Sequence, residues 1–173
     1  CALLLVAHNL ALVLLSGGLI FLVRLGAQRE RAGGAGYTVA DGFLERSALA
    51  QPDLYLLLVA VLAFTGLGFP AVHLVFHGVL RGQTVVSGAA FAAKLVAVAA
   101  LTAGLLFWRF RLHDELARRL DAAEKAKEDP RTWRDFREFR RVRQRWAAWC
   151  ARSAAASLVF TPFVTFFQQD LHP

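Results

Sequence analysis

Four stretches of this chain, about 1–24, 54–80, 84–110 and 147–169, are almost free of charge. Each is long enough to cross a bilayer, which takes roughly 20 apolar residues. A crossing segment must be helical, because hydrocarbon leaves backbone N–H and C=O groups no partner except those within the helix. The ionisable side chains inside the stretches are His8, His73, His77 and Lys94, while Arg24, Arg109 and Arg152 sit at or near their ends. The second and third stretches are joined only through Leu80, Arg81, Gly82 and Gln83, so they form an antiparallel hairpin. Pro70, preceded by Gly66 and Gly68, is expected to kink the second helix.

Composition agrees. Hydrophobic residues make up 57% of the chain and charged residues 19%, against about 45–50% and about one-quarter in a soluble domain. Disorder, collagen, a disulfide scaffold and an ordinary cytosolic enzyme are excluded. The expected fold is all-α: a single transmembrane domain over 1–173, an integral membrane four-helix bundle with an extended cytoplasmic helical hairpin over about 111–146. The sequence holds no Met and opens with Cys1 inside an apolar run, which suggests that residue 1 is not the translation start. Cys1 and Cys150 are expected at opposite membrane faces, too far apart to bridge.

The basic residues orient the chain. Of twenty Lys and Arg, all but Arg81 and Lys94 lie in or at the edges of two connections, after the first span and between the third and fourth. The positive-inside rule places both connections in the cytoplasm and the N-terminus outside, which gives a multi-pass protein of the cell's inner (plasma) membrane. Trp133, Phe136, Phe139 and Trp146 interleave with the basic run, as in some nucleic-acid surfaces. Eight Asp and Glu between Asp114 and Glu138 are scattered through the same run, which favours a mixed-charge face without nucleic acid.

That long connection has helical signals. Leu112, Leu116, Leu120 and Ala123 recur at helical spacing, and so do Trp133, Phe136, Phe139, Val142, Trp146 and Trp149. Asp129-Pro130 is a helix start, so two arms should turn near 127–130. The aromatic stripe packs one arm on the other or docks partner membrane subunits. The first connection, 26–52, reads as a flexible loop around Gly33, Gly34 and Gly36, then a short amphipathic helix through Phe43, Leu44 and Leu49 that ends at Pro52.

Ionisable groups inside a span are costly and mark function by default. His8 lies seven residues into the first span, roughly 10 Å deep at 1.5 Å per residue. Counted back from Leu80, His73 is again roughly 10 Å deep and His77 roughly 5 Å. His8 and His73 are therefore expected at one level, as axial ligands of a haem b, with His77 the alternative on the same helix face. Gly17, Gly18, Gly66 and Gly68 would admit a flat macrocycle. Lys94, near the bilayer midplane, would pair with a propionate; Arg24 would snorkel to the headgroups. Copper is the rival ligand for the three histidines, without thioether help. The bland alternative is imidazoles that donate to carbonyls on a neighbouring helix. No zinc signature, phosphate-cradling glycine loop or nucleophile elbow is present.

The run from His8 through Gly17-Gly18 to Arg24-Leu25 resembles the first helix of the HemJ-type protoporphyrinogen oxidases, with the same His-to-Gly and His-to-Arg spacing. Phe91-Ala-Ala-Lys94 and the apolar run after it resemble that family's third helix. The CopD-like copper-resistance membrane proteins of the wider group share the His-to-Gly-Gly first helix. The resemblance covers about 40 residues and implies that His8, Arg24 and Lys94 serve haem or porphyrin binding. Val23 stands where the family has Pro, and the start of the family's last helix has no counterpart near Trp149. Three functions follow as expectations. The first is a haem-b electron-transfer subunit of a larger respiratory or redox complex. The second is a protoporphyrinogen oxidase, and the third a copper-handling or purely structural subunit.

Overall fold

The structure, a computed structural model, describes residues 2–32, 39–77, 82–83, 85–125, 130–166 and 168–169. They form five helices: α1 (Ala2–Ala32), α2 (Val39–His77), α3 (Val85–Phe107), α4 (His113–Lys125) and α5 (Pro130–Phe166). A π-helical turn, Trp108–Leu112, joins α3 to α4 without a break. The one departure from helix is an antiparallel pairing of β1 (Gly82–Gln83) with β2 (Gln168–Gln169), Gly82 opposite Gln169.

Three helical stretches, Leu3–Arg29, Gly42–Gly68 and Val85–Lys125, are long and apolar enough to cross a membrane. They present Leu3, Phe21, Phe64, Leu67, Val85 and Val96 outward, a surface suited to lipid rather than water. The expected fourth span, about 147–169, is the last part of α5 and runs beyond the described residues.

α1 and α2 run antiparallel. Gly18 lies against Tyr55, and Gly68 against Leu4. α3 and α5 make the most extensive contact in the fold. Its seam is small on one side: Ala147, Cys150, Ala154 and Ser157 of α5 are buried against Ser87, Ala90, Leu101, Gly104 and Leu105 of α3. Small residues let helix backbones approach closely where hydrophobic driving force is weak. The central core joins all four long helices through Leu15, Leu19, Tyr55, Val59, Leu105, Trp108, Cys150 and Ala154. Leu116, Leu120, Ala123 and Phe136 form a second cluster at the basic end.

The first connection differs from expectation. Instead of a loop and a separate short helix, α1 runs on to Ala32 and α2 starts at Val39 and continues through Pro52. Pro inside a helix removes a hydrogen bond and normally breaks it. Here one buried face, Glu45, Ala48, Pro52, Tyr55 and Val59, passes straight through the proline at three- and four-residue spacing. Tertiary packing overrides the local signal. Gly33, Gly34 and Gly36 lie outside the described residues. The beginning of α2 therefore joins the basic end: Leu49 packs on the second cluster, and Arg46 pairs with Glu124 at 2.6 Å and Asp121 at 3.3 Å. The extension expected as a two-armed hairpin is a four-helix layer.

The π turn has a packing reason. It keeps Leu101, Leu105, Trp108, Leu112, Leu116, Leu120 and Ala123 on one buried line from α3 into α4. On α5 the buried line is Phe136, Arg143, Ala147 and Cys150; Val142 and Trp149 of the expected stripe lie partly outside it. Trp146 stacks on Phe107 with ring centroids 4.5 Å apart.

Candidate functional site

His8 sits on α1 facing α2. Its Nδ1 lies 2.8 Å from Thr65 Oγ1, and the Thr65 hydroxyl donates to the Val61 carbonyl at 2.7 Å. A hydroxyl has one proton. The Thr65 hydroxyl therefore bridges His8 Nδ1 and the carbonyl of the preceding helical turn. The ring lies close to α2: a Cβ on Gly66 would be 3.7 Å from His8 Cε1. His8 and Thr65 thus form a polar pair between α1 and α2, and Lys94 is half-buried on α3. Thr65 was not anticipated from the sequence; its place on the α1-facing side of α2 becomes visible only once the helix register is known.

The register does not put His8 and His73 at one level. His8 lies beside Thr65 and Gly66, eight and seven positions before His73 on α2, a separation of about 10–12 Å along the helix. His77 is further still. Leu4 of α1 lies against Gly68, so the start of the first span is level with Gly68 rather than with Leu80. The side chains of His73 and His77 lie outside the described residues. Arg24 is exposed at the basic end of α1. Among the described residues no three His, Cys, Asp or Glu gather as a metal site.

His8 presents one imidazole to α2 beside Thr65 and Gly66, and the backbone of His73 lies about two turns further along that helix.

A second polar group lies at the basic end, and sequence reading missed it. Glu45, fully buried on α2, meets Arg29 of α1 at 2.8 Å, Arg143 of α5 at 2.6 Å and Arg140 of α5 at 4.0 Å. Burial pulls the Arg143 guanidinium below its ordinary value, against the opposing attraction of Glu45. A cavity of about 100 Å³ adjoins the cluster, lined by Arg29, Ser47, Gln51, Trp108, Arg143 and Gln144 among apolar side chains that include Phe21 and Leu25. In sequence, Arg143 is one of seventeen arginines and Glu45 one acid of the first connection.

No protein-family model, no curated protein and no solved structure matches this chain.

Proposed function

We propose that the chain is a membrane-embedded subunit, its fourth span supplied by the end of α5 and its basic end in the cytoplasm. In this reading it holds a haem b through His8 and passes electrons to partner membrane subunits. The observation that carries the reading is the His8–Thr65–Val61 relay. A metal-ligating histidine characteristically donates its other ring N–H to an oxygen, which fixes ring and tautomer and raises the basicity of the ligating nitrogen. Thr65 plays that part, and Nε2 is the ligating atom. Lys94 supplies a cation for a propionate in a medium where an unpaired carboxylate is costly. The bound iron would supply one-electron redox chemistry; the chain orients it and excludes water. The likeness of α1 and α3 to the HemJ-type oxidases points to His8 and Lys94 as well. It leaves porphyrinogen oxidation as the second reading, favoured by a single-imidazole site because that leaves an iron position open.

The test is the visible spectrum of the purified chain, oxidised and reduced, after expression with haem supply. A Soret band that is lost in His8→Ala and weakened in Thr65→Val is expected. A colourless wild type, or His8→Ala with an unchanged spectrum, overturns the haem reading. Stoichiometric copper without porphyrin would replace it with metal handling.

A further inference from the structure

Among the described residues three guanidiniums gather on the Glu45 carboxylate, away from bulk water. Side-chain exposure is 12% for Arg140 and 10% for Arg143. The Trp108 indole Nε1 beside the cluster is buried without an acceptor among the described residues. Arg143 Nη1 is ion-paired with Glu45 Oε2 at 2.6 Å, which leaves its second hydrogen for another acceptor. Both side chains line the same cavity, with Gln51, Gln144 and Ser47 as further hydrogen-bonding groups. Unpaired buried donors cost about 1–3 kcal/mol each, and more for charged groups. A ligand that accepted from both would remove that cost at Trp108 and use the second hydrogen of Arg143.

The cavity sits where the bundle leaves its apolar zone. Phe21, mostly exposed, lies at its mouth, and Arg24 is one turn further along α1. Asp53 and Arg109 pair at 2.5 Å on the other side of the same layer. An anion there would have its charge among arginines and apolar side chains next to it. Basic pockets between membrane helices at this depth suit phosphate headgroups, and the planar guanidinium matches phosphate oxygens well.

We infer that the cavity between Arg143, Trp108 and Arg29 is a binding site for a phosphate-bearing anion, either the headgroup of an anionic phospholipid or free phosphate. The Arg143 Nη1 and Trp108 Nε1 hydrogens are the donors that meet its oxygens. Arg140 contributes charge, and Glu45 both positions Arg143 and limits the site's net charge. This site is separate from the His8 group and does not depend on its chemistry.

Two substitutions separate anion binding from mere structural damage, since both break the same ion pair. Arg143→Gln removes a cation and a donor, whereas Glu45→Gln removes the competing anion. Calorimetric titration of the detergent-solubilised full chain would use three probes: short-chain phosphatidylglycerol, short-chain phosphatidylcholine and inorganic phosphate. Saturable binding of phosphatidylglycerol with little of phosphatidylcholine is expected. Arg143→Gln should weaken it roughly tenfold to a hundredfold, and Glu45→Gln should tighten it or leave it unchanged. Trp108→Phe, which keeps the ring but deletes the donor, should weaken it by a smaller factor. Binding of inorganic phosphate with the same variant pattern assigns the site to free phosphate. The inference is overturned by equal uptake of the two lipids, by no binding of any probe to folded wild type, or by loss of affinity in both Arg143→Gln and Glu45→Gln.

Discussion

Glu45 Oε2 lies 2.6 Å from Arg143 Nη1 across the α2–α5 contact, and Glu45 Oε1 accepts a hydrogen bond from Arg29 of α1 at 2.8 Å. One carboxylate thus ties three helices together in a layer where none of the partners is well hydrated. Removing one member of a buried ion pair strands the others, at about 3–5 kcal/mol, whereas exchanging the whole set for apolar residues can be neutral. Glu45→Ala is therefore expected to destabilise by about 3–5 kcal/mol, read as a fall in the unfolding midpoint in detergent. The Glu45→Leu/Arg143→Met pair should recover much of that loss. If Glu45→Ala unfolds like wild type, the cluster does not hold the helices.

Neighbouring glycines on α1 make a sharper comparison. A Cβ on Gly18 would lie 2.8 Å from Tyr55 Oη and 3.0 Å from Tyr55 Cε1, whereas one on Gly17 meets nothing within 4 Å. Tyr55 cannot easily yield, being buried with its hydroxyl donating to Gln51 at 3.1 Å. Gly18→Ala should cost about 1–3 kcal/mol through overpacking, and Gly17→Ala should stay within about 1 kcal/mol of wild type or gain stability from helix propensity. Thermal unfolding of the two single variants under identical detergent conditions checks the contrast; equal midpoints would refute the α1–α2 register.

Gly104 tests the α3–α5 seam. A Cβ there would collide with the Trp149 ring and lie 2.9 Å from Cys150 Sγ. Cys150 is a free, fully buried thiol. It should resist maleimide in the folded chain, because reaction needs both access and thiolate. Gly104→Ala forces the helices apart and should raise the Cys150 labelling rate, measured by mass spectrometry of the peptide that holds Cys150. Unchanged protection would mean that the seam is looser than described.

The sequence made the helices legible where period and charge agreed. The line Leu112, Leu116, Leu120, Ala123 is buried as its spacing requires, and the two arms are α4, ending at Lys125, and α5, starting at Pro130. It failed where tertiary packing outweighed a local rule: Pro52 reads as a stop, yet lies within α2 because the residues on either side share one buried face. The π turn at Trp108 leaves no periodic trace, because it shifts the phase of a pattern that stays apolar throughout. His8 is legible as a polar group in an apolar run, but its level relative to α2 depends on where the helices pair, and composition gives only where apolar runs begin and end. Arg143 was hidden by abundance, since charge counts do not distinguish an inward arginine from outward ones.

The continuity of α2 through Pro52 has a consequence for the basic end. If Gly42–Gln51 is helix packed on α4 and α5, its amides should exchange slowly with solvent, against the rapid exchange of a loop. Leu49 rests on the cluster of Leu116, Leu120 and Phe136, while Arg46 contributes exposed ion pairs to Asp121 and Glu124. Apolar burial dominates such a contact: exposed pairs give about 0–1 kcal/mol, whereas Phe→Ala in a core costs about 3–5 kcal/mol. Phe136→Ala should therefore speed exchange in both α4 and residues 42–51, and Arg46→Ala should change either by little. Rapid exchange over 42–51 in wild type, or a Phe136→Ala effect confined to α4 and α5, would show that the beginning of α2 is not part of the four-helix layer.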